Sequence, residues 1–253
     1  MARVKLNGYV VSDMAGPLYA KYGYPVIFPA SVRQAIDDNP EGEDLVLELN
    51  SGGGSVFSGF EIYSILRSAK CHTVAEVQSL AGSAASTIAC GCDTVLMSPV
   101  AQLMIHDPAI GTSGNIRAHK ESLQALHAIK EGILNGYVMR CKDKCSRDRL
   151  RDLMSRETFV SAQQAVDMGL ADGILYVDST DPALVLNSVQ EGLSNLFAGC
   201  SGLPSYEELK ARDERENGAQ SAEDAEGAEI SAPVKNDSWA LQAALDIEKT
   251  RFI

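Results

Sequence analysis

Three short stretches carry residue types suited to acyl transfer. The first is Asn50-Ser51-Gly52-Gly53-Gly54-Ser55. Glycines let a backbone turn sharply and approach a ligand closely, and free N–H groups at a helix start favour negative charge. The phosphate-loop pattern G-x-x-x-x-G-K-[ST] and the dinucleotide pattern G-x-G-x-x-G are both missing. An anion-binding turn and a plain strand-to-helix turn therefore both remain open. The second stretch is Gly82-Ser83-Ala84-Ala85-Ser86-Thr87. Ser86 is read as the N-terminus of a buried helix, where the dipole stabilises developing negative charge and the Thr87 N–H faces a forming oxyanion. Tight helix packing through small residues is the competing reading, and the run differs from the G-x-S-x-G elbow. The third is His106, which closes an apolar segment and precedes Asp107-Pro108. An imidazole titrating near 6.5 suits proton transfer at neutral pH, and a packed structural histidine is the alternative. His72, His119 and His127 have no comparable surroundings.

The elements that must hold these residues alternate between strands and helices. Residues 4–11 read as a strand, and Pro29-Ala30-Ser31 opens a short helix with Ser31 as N-cap. Residues 45–49 form an apolar run of strand length that leads into the glycines. A helix follows, with Val56, Ile62, Tyr63, Leu66 and Ala69 at helical spacing. Residues 73–77, 94–97 and 102–105 are further strands. Residues 117–140 form the longest helix, in which Leu123, Leu126, Ile129, Ile133 and Tyr137 follow the 3.6-residue period. Ser146 caps a helix through Met154. Ser161-Ala162-Gln163-Gln164 is a capping box, its helix ends at Gly169, and residues 172–175 lead into a last strand. Such alternation predicts an α/β fold with βαβ crossovers.

The chain divides near residue 200. Residues 1–200 read as one domain and 201–253 as a charged, largely flexible extension. Residues 207–216 are helix-prone. Residues 217–235 are rich in Gly, Ala, Ser and Glu and lack aromatics, a composition that reads as a flexible linker. Trp239, Leu241, Leu245 and Ile247 pattern a short terminal amphipathic helix.

Bulk composition limits the function classes. Of 253 residues, 45% are hydrophobic and 22% charged, and the net charge is −12. An acidic surface repels phosphate backbones and anionic membranes, which argues against nucleic-acid and membrane partners. The N-terminus lacks a signal-type apolar run and no segment nears the ~18 apolar residues of a membrane span, so a cytoplasmic protein is expected. Cys71, Cys90, Cys92, Cys141, Cys145 and Cys200 are then expected to be reduced thiols. Cys90-Gly91-Cys92 and Cys141-x-x-x-Cys145 do not match common zinc-knuckle spacings, so packed thiols are favoured over a metal site.

The order of the motifs resembles the Clp protease proteolytic-subunit family: Asn50-Ser51-Gly52-Gly53-Gly54, then Gly82-Ser83-Ala84-Ala85-Ser86, then Met104-Ile105-His106-Asp107-Pro108, then Phe159-Val160-Ser161-Ala162, with Gly169-Leu170-Ala171-Asp172 behind. The resemblance covers roughly residues 3–178. It implies a ClpP/crotonase-like repeated ββα core with a protruding handle helix, here residues 117–140, and assembly into homo-oligomeric rings. It implies a serine endopeptidase with Ser86 as nucleophile, His106 as general base and Glu157 as the triad acid, where the housekeeping enzymes carry aspartate. Asp152, Asp167 and Asp172 are rivals for the acid. The implied oxyanion hole is the backbone N–H of Thr87 and of Gly54, with Gly53 adjoining, and Gly52 stands where the family usually has proline. Residues 110–115, with Ile110, Gly111 and Thr112 foremost, read as an edge strand for an extended peptide or as an ordinary loop. No metal or organic cofactor is implied. The short spacing from Ser86 to His106, Glu157-Thr158-Phe159 and the C-terminal extension resemble the phage and prophage branch, whose members process capsid or scaffold proteins during head assembly. The terminal Trp239 helix is the expected tether to such a partner, and an ATP-driven unfoldase partner stays open. Two rivals complete the set: a crotonase-type acyl-CoA enzyme on the same core, and a non-catalytic assembly component that keeps the fold.

Overall fold

The computed structural model describes residues 2–176, 190–191 and 203–224. Its centre is a sheet of nine strands among the described residues. β1 (Ala2–Val10) pairs in parallel with β2 (Val26–Ile27) and β3 (Leu45–Gly54), and β3 with β4 (Thr73–Gly82). β4 then forks. Its residues 74–77 pair with β5 (Thr94–Met97) and its residues 80–82 with β6 (Gln102–Ile105), both in parallel. β7 (Thr158–Ser161) runs antiparallel to β6, and β9 (Gln190–Glu191) antiparallel to β7. β8 (Gly173–Ile174) closes the β5 side.

The crossovers explain the burial pattern. α1 (Gly16–Lys21), α2 (Pro29–Asp37) and α3 (Val56–Arg67) follow the first strands, and α4 (Ala84–Gly91) follows β4. Leu45, Val46, Leu47 and Leu49 of β3 are all buried, as a parallel strand covered on both faces must be. Every residue of α4 is buried. Its small side chains allow α3 to come close, with the Gly59 backbone against Ala84. Two expectations move here. The helix that was to be capped by Ser31 begins at Pro29, and Ser31 instead returns its hydroxyl to the Phe28 carbonyl at 2.7 Å. α1 was not anticipated at all: a six-residue helix shows too little periodicity to read.

α5 (Ile116–Cys141) is the long helix, capped by Asn115, whose side chain accepts the Ala118 N–H at 3.1 Å. Residues 116–132 include no buried position, while Ile133, Leu134, Gly136, Tyr137 and Cys141 are buried. The buried residues of the helix thus all lie in its second half. α6 (Arg147–Ser155) takes Ser146 as N-cap. α7 (Ala162–Met168) carries the Ser161–Gln164 capping box and ends at a left-handed Gly169.

α8 (Tyr206–Asp224) contains the helix-prone residues 207–216 of the extension. It continues into the stretch expected to be linker, where Ala, Gln and Glu are good helix formers. It is also docked. Leu209 is buried with Val11, Ala15 and Tyr19; Tyr19 donates its hydroxyl to the Pro204 carbonyl at 2.9 Å; Lys21 pairs with Asp213; and the Arg212 guanidinium sits 4.7 Å over the Tyr22 ring. The Trp239 segment lies outside the described residues.

Candidate active site

The strand ends on one side of the β3–β4–β6 sheet bring the chemistry together. β4 ends at Gly82, and the next residue, Ser83, adopts φ 51 and ψ −122 before α4 begins at Ala84. That conformation is rare for a residue with a Cβ and marks a turn held in place by its surroundings. The Ser83 N–H donates to the Met104 carbonyl of β6 at 2.8 Å. Its Oγ lies 2.7 Å from His106 Nε2. His106 follows β6 directly, and Ile105 is paired with Thr158 of β7, so the antiparallel register sets His106 opposite Glu157. Glu157 Oε1 is 3.9 Å from His106 Nδ1, and Glu157 itself has a φ of 54. A hydroxyl on one imidazole nitrogen and a carboxylate near the other is a Ser-His-acid constellation.

Ser86 does not reach His106. It is buried to 1% exposure and lies within α4. Its hydroxyl donates to the Ser83 carbonyl at 2.6 Å and sits 2.6 Å from the Tyr137 hydroxyl of α5. The expected pairing fails because the helix starts three residues earlier than the sequence reading placed it, which makes Ser83 the N-cap and puts Ser86 a turn inside. Thr87 moves with it: its N–H is directed to the Ser83 carbonyl at 3.4 Å and does not face the Ser83 hydroxyl. At the corrected register the residue after the serine is Ala84. Its N–H is among the first in the helix, which have no intrahelical acceptor, and no acceptor takes it among the described residues.

The glycine turn lies against this peptide. A Cβ on Gly53 would come 2.8 Å from Ser83 Cβ and 2.9 Å from the Ala84 nitrogen, and the residue has φ +101. The Ser51 hydroxyl accepts the Gly53 N–H at 3.0 Å. Gly54, at φ +146, pairs in register with Val10 of β1. The site is therefore lined by two backbone turns, each the exit of a parallel strand.

Burial holds the His106 imidazole below its ordinary pKa, while Glu157 and then Asp107 pull it back up. The ring is thus neutral at pH 7 and able to accept a proton. Asp107 is turned elsewhere: its Oδ2 takes Lys130 Nζ of α5 at 2.7 Å and the Ser155 hydroxyl at 3.3 Å. Of the rival acids, Asp152 pairs with Arg149 and Arg156, Asp167 accepts from Gln163, and Asp172 accepts the Val95 N–H and pairs with Arg140.

Ile110, Gly111 and Thr112 lie in the segment between His106 and α5, which carries no strand pairing among the described residues. The Thr112 hydroxyl is 3.0 Å from the Ser122 hydroxyl and 3.3 Å from His119 Nδ1, so it braces this segment to α5. Cys90, Cys92, Cys141 and Cys145 are buried free thiols, and burial pushes Cys90 and Cys92 up to about 12. Among the described residues no group of three or more His, Cys, Asp or Glu side chains is arranged to hold a metal ion.

Sequence reasoning missed Ser83, Ala84 and Tyr137 at the site. A signal for Ser83 was present: two serines three apart in Ser83-Ala84-Ala85-Ser86, the first directly after an apolar strand.

Comparison with known proteins places this geometry in a lineage. The family model described as Clp protease matches residues 34–178. The ATP-dependent Clp protease proteolytic subunit of Ligilactobacillus salivarius is 28% identical over 174 residues, which cover 68% of this chain and 82% of that protein. The subunit of the same name from Streptococcus agalactiae serotype V is 26% identical over 174 residues, covering 68% and 83%. ATP-dependent Clp protease proteolytic subunit 1 of Chlamydia muridarum is 32% identical over 142 residues, covering 53% and 71%. The family match spans more than half of the sequence and includes Gly53, Ser83, His106 and Glu157, and the chain belongs to the Clp protease family.

Proposed function

We propose that the chain is a serine endopeptidase in which Ser83 is the nucleophile, His106 the general base and Glu157 the acid that orients the imidazole. The observation that carries this reading is the 2.7 Å contact between Ser83 Oγ and His106 Nε2 at a strained helix N-cap. His106 takes the Ser83 proton as Oγ attacks a peptide carbonyl. The tetrahedral oxyanion is held by the Ala84 N–H with the Gly54 amide of the adjoining turn. His106 then protonates the leaving amine, and water activated by the same ring hydrolyses the acyl-enzyme. The segment at Ile110, Gly111 and Thr112, without strand pairing among the described residues, presents its backbone to an extended peptide.

The relatives are named as proteolytic subunits of an ATP-dependent protease. By analogy the substrate is a protein chain and the working form a homo-oligomeric ring in which the first half of α5 meets neighbouring copies. The finer reading is a phage-type enzyme that cleaves capsid or scaffold protein during head assembly. It rests on Glu157-Thr158-Phe159 and on the extension beyond residue 200, and it leaves the need for an unfoldase open.

Intact mass after exposure to a fluorophosphonate tests the chemistry. One adduct on the wild type, absent from Ser83→Ala, is expected. An adduct that survives Ser83→Ala refutes the nucleophile, and no adduct on an oligomer verified by light scattering favours a non-catalytic assembly role. Co-expression with a phage capsid protein, read by the mass of that protein, tests the substrate: an unprocessed capsid chain beside a labelled enzyme sinks the head-assembly reading alone.

A further inference from the structure

The nucleophile turn is pinned on both sides by hydrogen bonds. On its amino side the Ser83 N–H is held by Met104 at 2.8 Å. On its carboxyl side the Ser83 carbonyl accepts the Ser86 N–H at 3.0 Å, the Thr87 N–H at 3.4 Å and the Ser86 hydroxyl at 2.6 Å. The hydroxyl bond has its own support. A carbonyl only accepts, so the single Ser86 hydroxyl proton points at Ser83. The Tyr137 hydroxyl, 2.6 Å from Ser86 Oγ, must then be the donor to it. Tyr137 is 1% exposed, and burial raises its phenol so that the proton stays in place.

We infer that Ser86 and Tyr137 are positioning residues: the chain Tyr137 to Ser86 to the Ser83 carbonyl fixes the peptide that follows the nucleophile. This rests on the reading of Ser83 as nucleophile. The peptide concerned links Ser83 to Ala84, and rotating it moves the Ser83 side chain and the Ala84 N–H together. A left-handed serine relaxes by that rotation unless its carbonyl is held. Neither Ser86 nor Tyr137 touches the reacting atoms. Tyr137 reaches the Ser83 carbonyl through Ser86, its phenol also having the Thr87 side chain as a hydrogen-bond neighbour, and this gives the pair an order that a merely structural contact lacks.

The test is the rate of fluorophosphonate labelling, with the labelled residue mapped by peptide mass, alongside kcat and KM on a fluorogenic peptide and a thermal melt of each full-length variant. Ser83→Ala should take no label. Ser86→Ala should label at Ser83 about tenfold more slowly, having lost both hydrogen bonds of the Ser86 hydroxyl, and Tyr137→Phe about threefold more slowly, having lost the one it donates to Ser86. The loss should fall on kcat, with KM within about twofold. The double variant should be no slower than Ser86→Ala alone, because the hydroxyl through which the tyrosine reaches the Ser83 carbonyl is already gone. If Ser86→Ala melts too early to assay, Tyr137→Phe carries the test, since it removes one oxygen and keeps the ring. A wild-type labelling rate in Ser86→Ala, or in Tyr137→Phe where that variant carries the test, overturns the inference, as does a double variant slower than Ser86→Ala. If label persists in Ser83→Ala, the underlying reading falls first; if Ser83→Ala is silent while both other variants label normally, only the positioning role falls.

Discussion

Gly53→Ala is the sharpest probe of how the two backbone turns build the site. The added methyl would lie 2.7 Å from the Gly82 carbonyl oxygen, 2.8 Å from Ser83 Cβ and 2.9 Å from the Ala84 nitrogen. These are backbone and near-backbone atoms that cannot swing aside as a side-chain tip would. The φ of +101 adds conformational strain of about 1–2 kcal/mol for a residue with a Cβ. Overpacking of a tight interior typically adds about 1–3 kcal/mol. The combined cost of roughly 2–5 kcal/mol corresponds to a fall in Tm of about 5–15 °C for a domain of this size. The catalytic loss should exceed the stability loss, because the atoms displaced are Ser83 and the Ala84 N–H. Loss of a single oxyanion donor costs ~10²–10³ in rate. Gly52→Ala is the matched control: nothing lies within 4 Å of its added methyl. Differential scanning calorimetry and fluorophosphonate kinetics on both variants decide the matter. A Gly53→Ala protein with wild-type Tm and a labelling rate within about twofold of wild type would refute the proposed fit between the glycine turn and the serine turn.

Other expectations are as direct. Catalysis needs neutral His106, and burial lowers its pKa, so the ascending limb of kcat/KM against pH should have its midpoint below the ordinary 6.5. Glu157→Gln removes a charge that raises His106, so that limb should move further toward acid while kcat falls; a shift toward alkaline pH would contradict the Glu157 assignment. Gly111→Pro removes one N–H from the proposed peptide-binding segment, and should raise KM for a peptide about fivefold while the small fluorophosphonate labels at the wild-type rate. Equal loss in both assays would show damage to the site itself. Leu209→Ala takes the main apolar contact out of the α8 dock, and limited proteolysis should then cut within α8 without slowing labelling at Ser83.

Much of the fold was legible because its signals are local. The capping box at Ser161 and Gln164, the left-handed Gly169 and the apolar run at Leu45 each announce an element boundary within a few residues. His106 drew notice as the residue after an apolar strand, and Glu157 only through the resemblance, by its place two residues before Phe159-Val160-Ser161-Ala162; the β6–β7 register sets the two opposite each other. The serine was harder. Within Gly82-Ser83-Ala84-Ala85-Ser86 both serines are favoured N-cap types, so residue type alone does not choose between two helix starts three residues apart. The boundary is set by tertiary pairing, where β4 runs out against β6 at Gly82. A three-residue difference in that boundary separates Ser86 from the proposed nucleophile Ser83, and Thr87 from the proposed oxyanion donor Ala84. The docking of α8 was illegible for a different reason. Its apolar content is slight, and it is held by tyrosine hydroxyls, an ion pair and a guanidinium over a ring, contacts that depend on partners nearly 200 residues away in sequence.

The exposed first half of α5 lies, in chain order, between His106 and Glu157. A cut there would leave the serine and histidine on one polypeptide and the carboxylate on the other, with β6 and β7 still able to zip together through Leu103, Met104 and Ile105. The molecule thus carries a natural seam for a split reporter: two halves, each without a complete site, whose reunion restores labelling at Ser83.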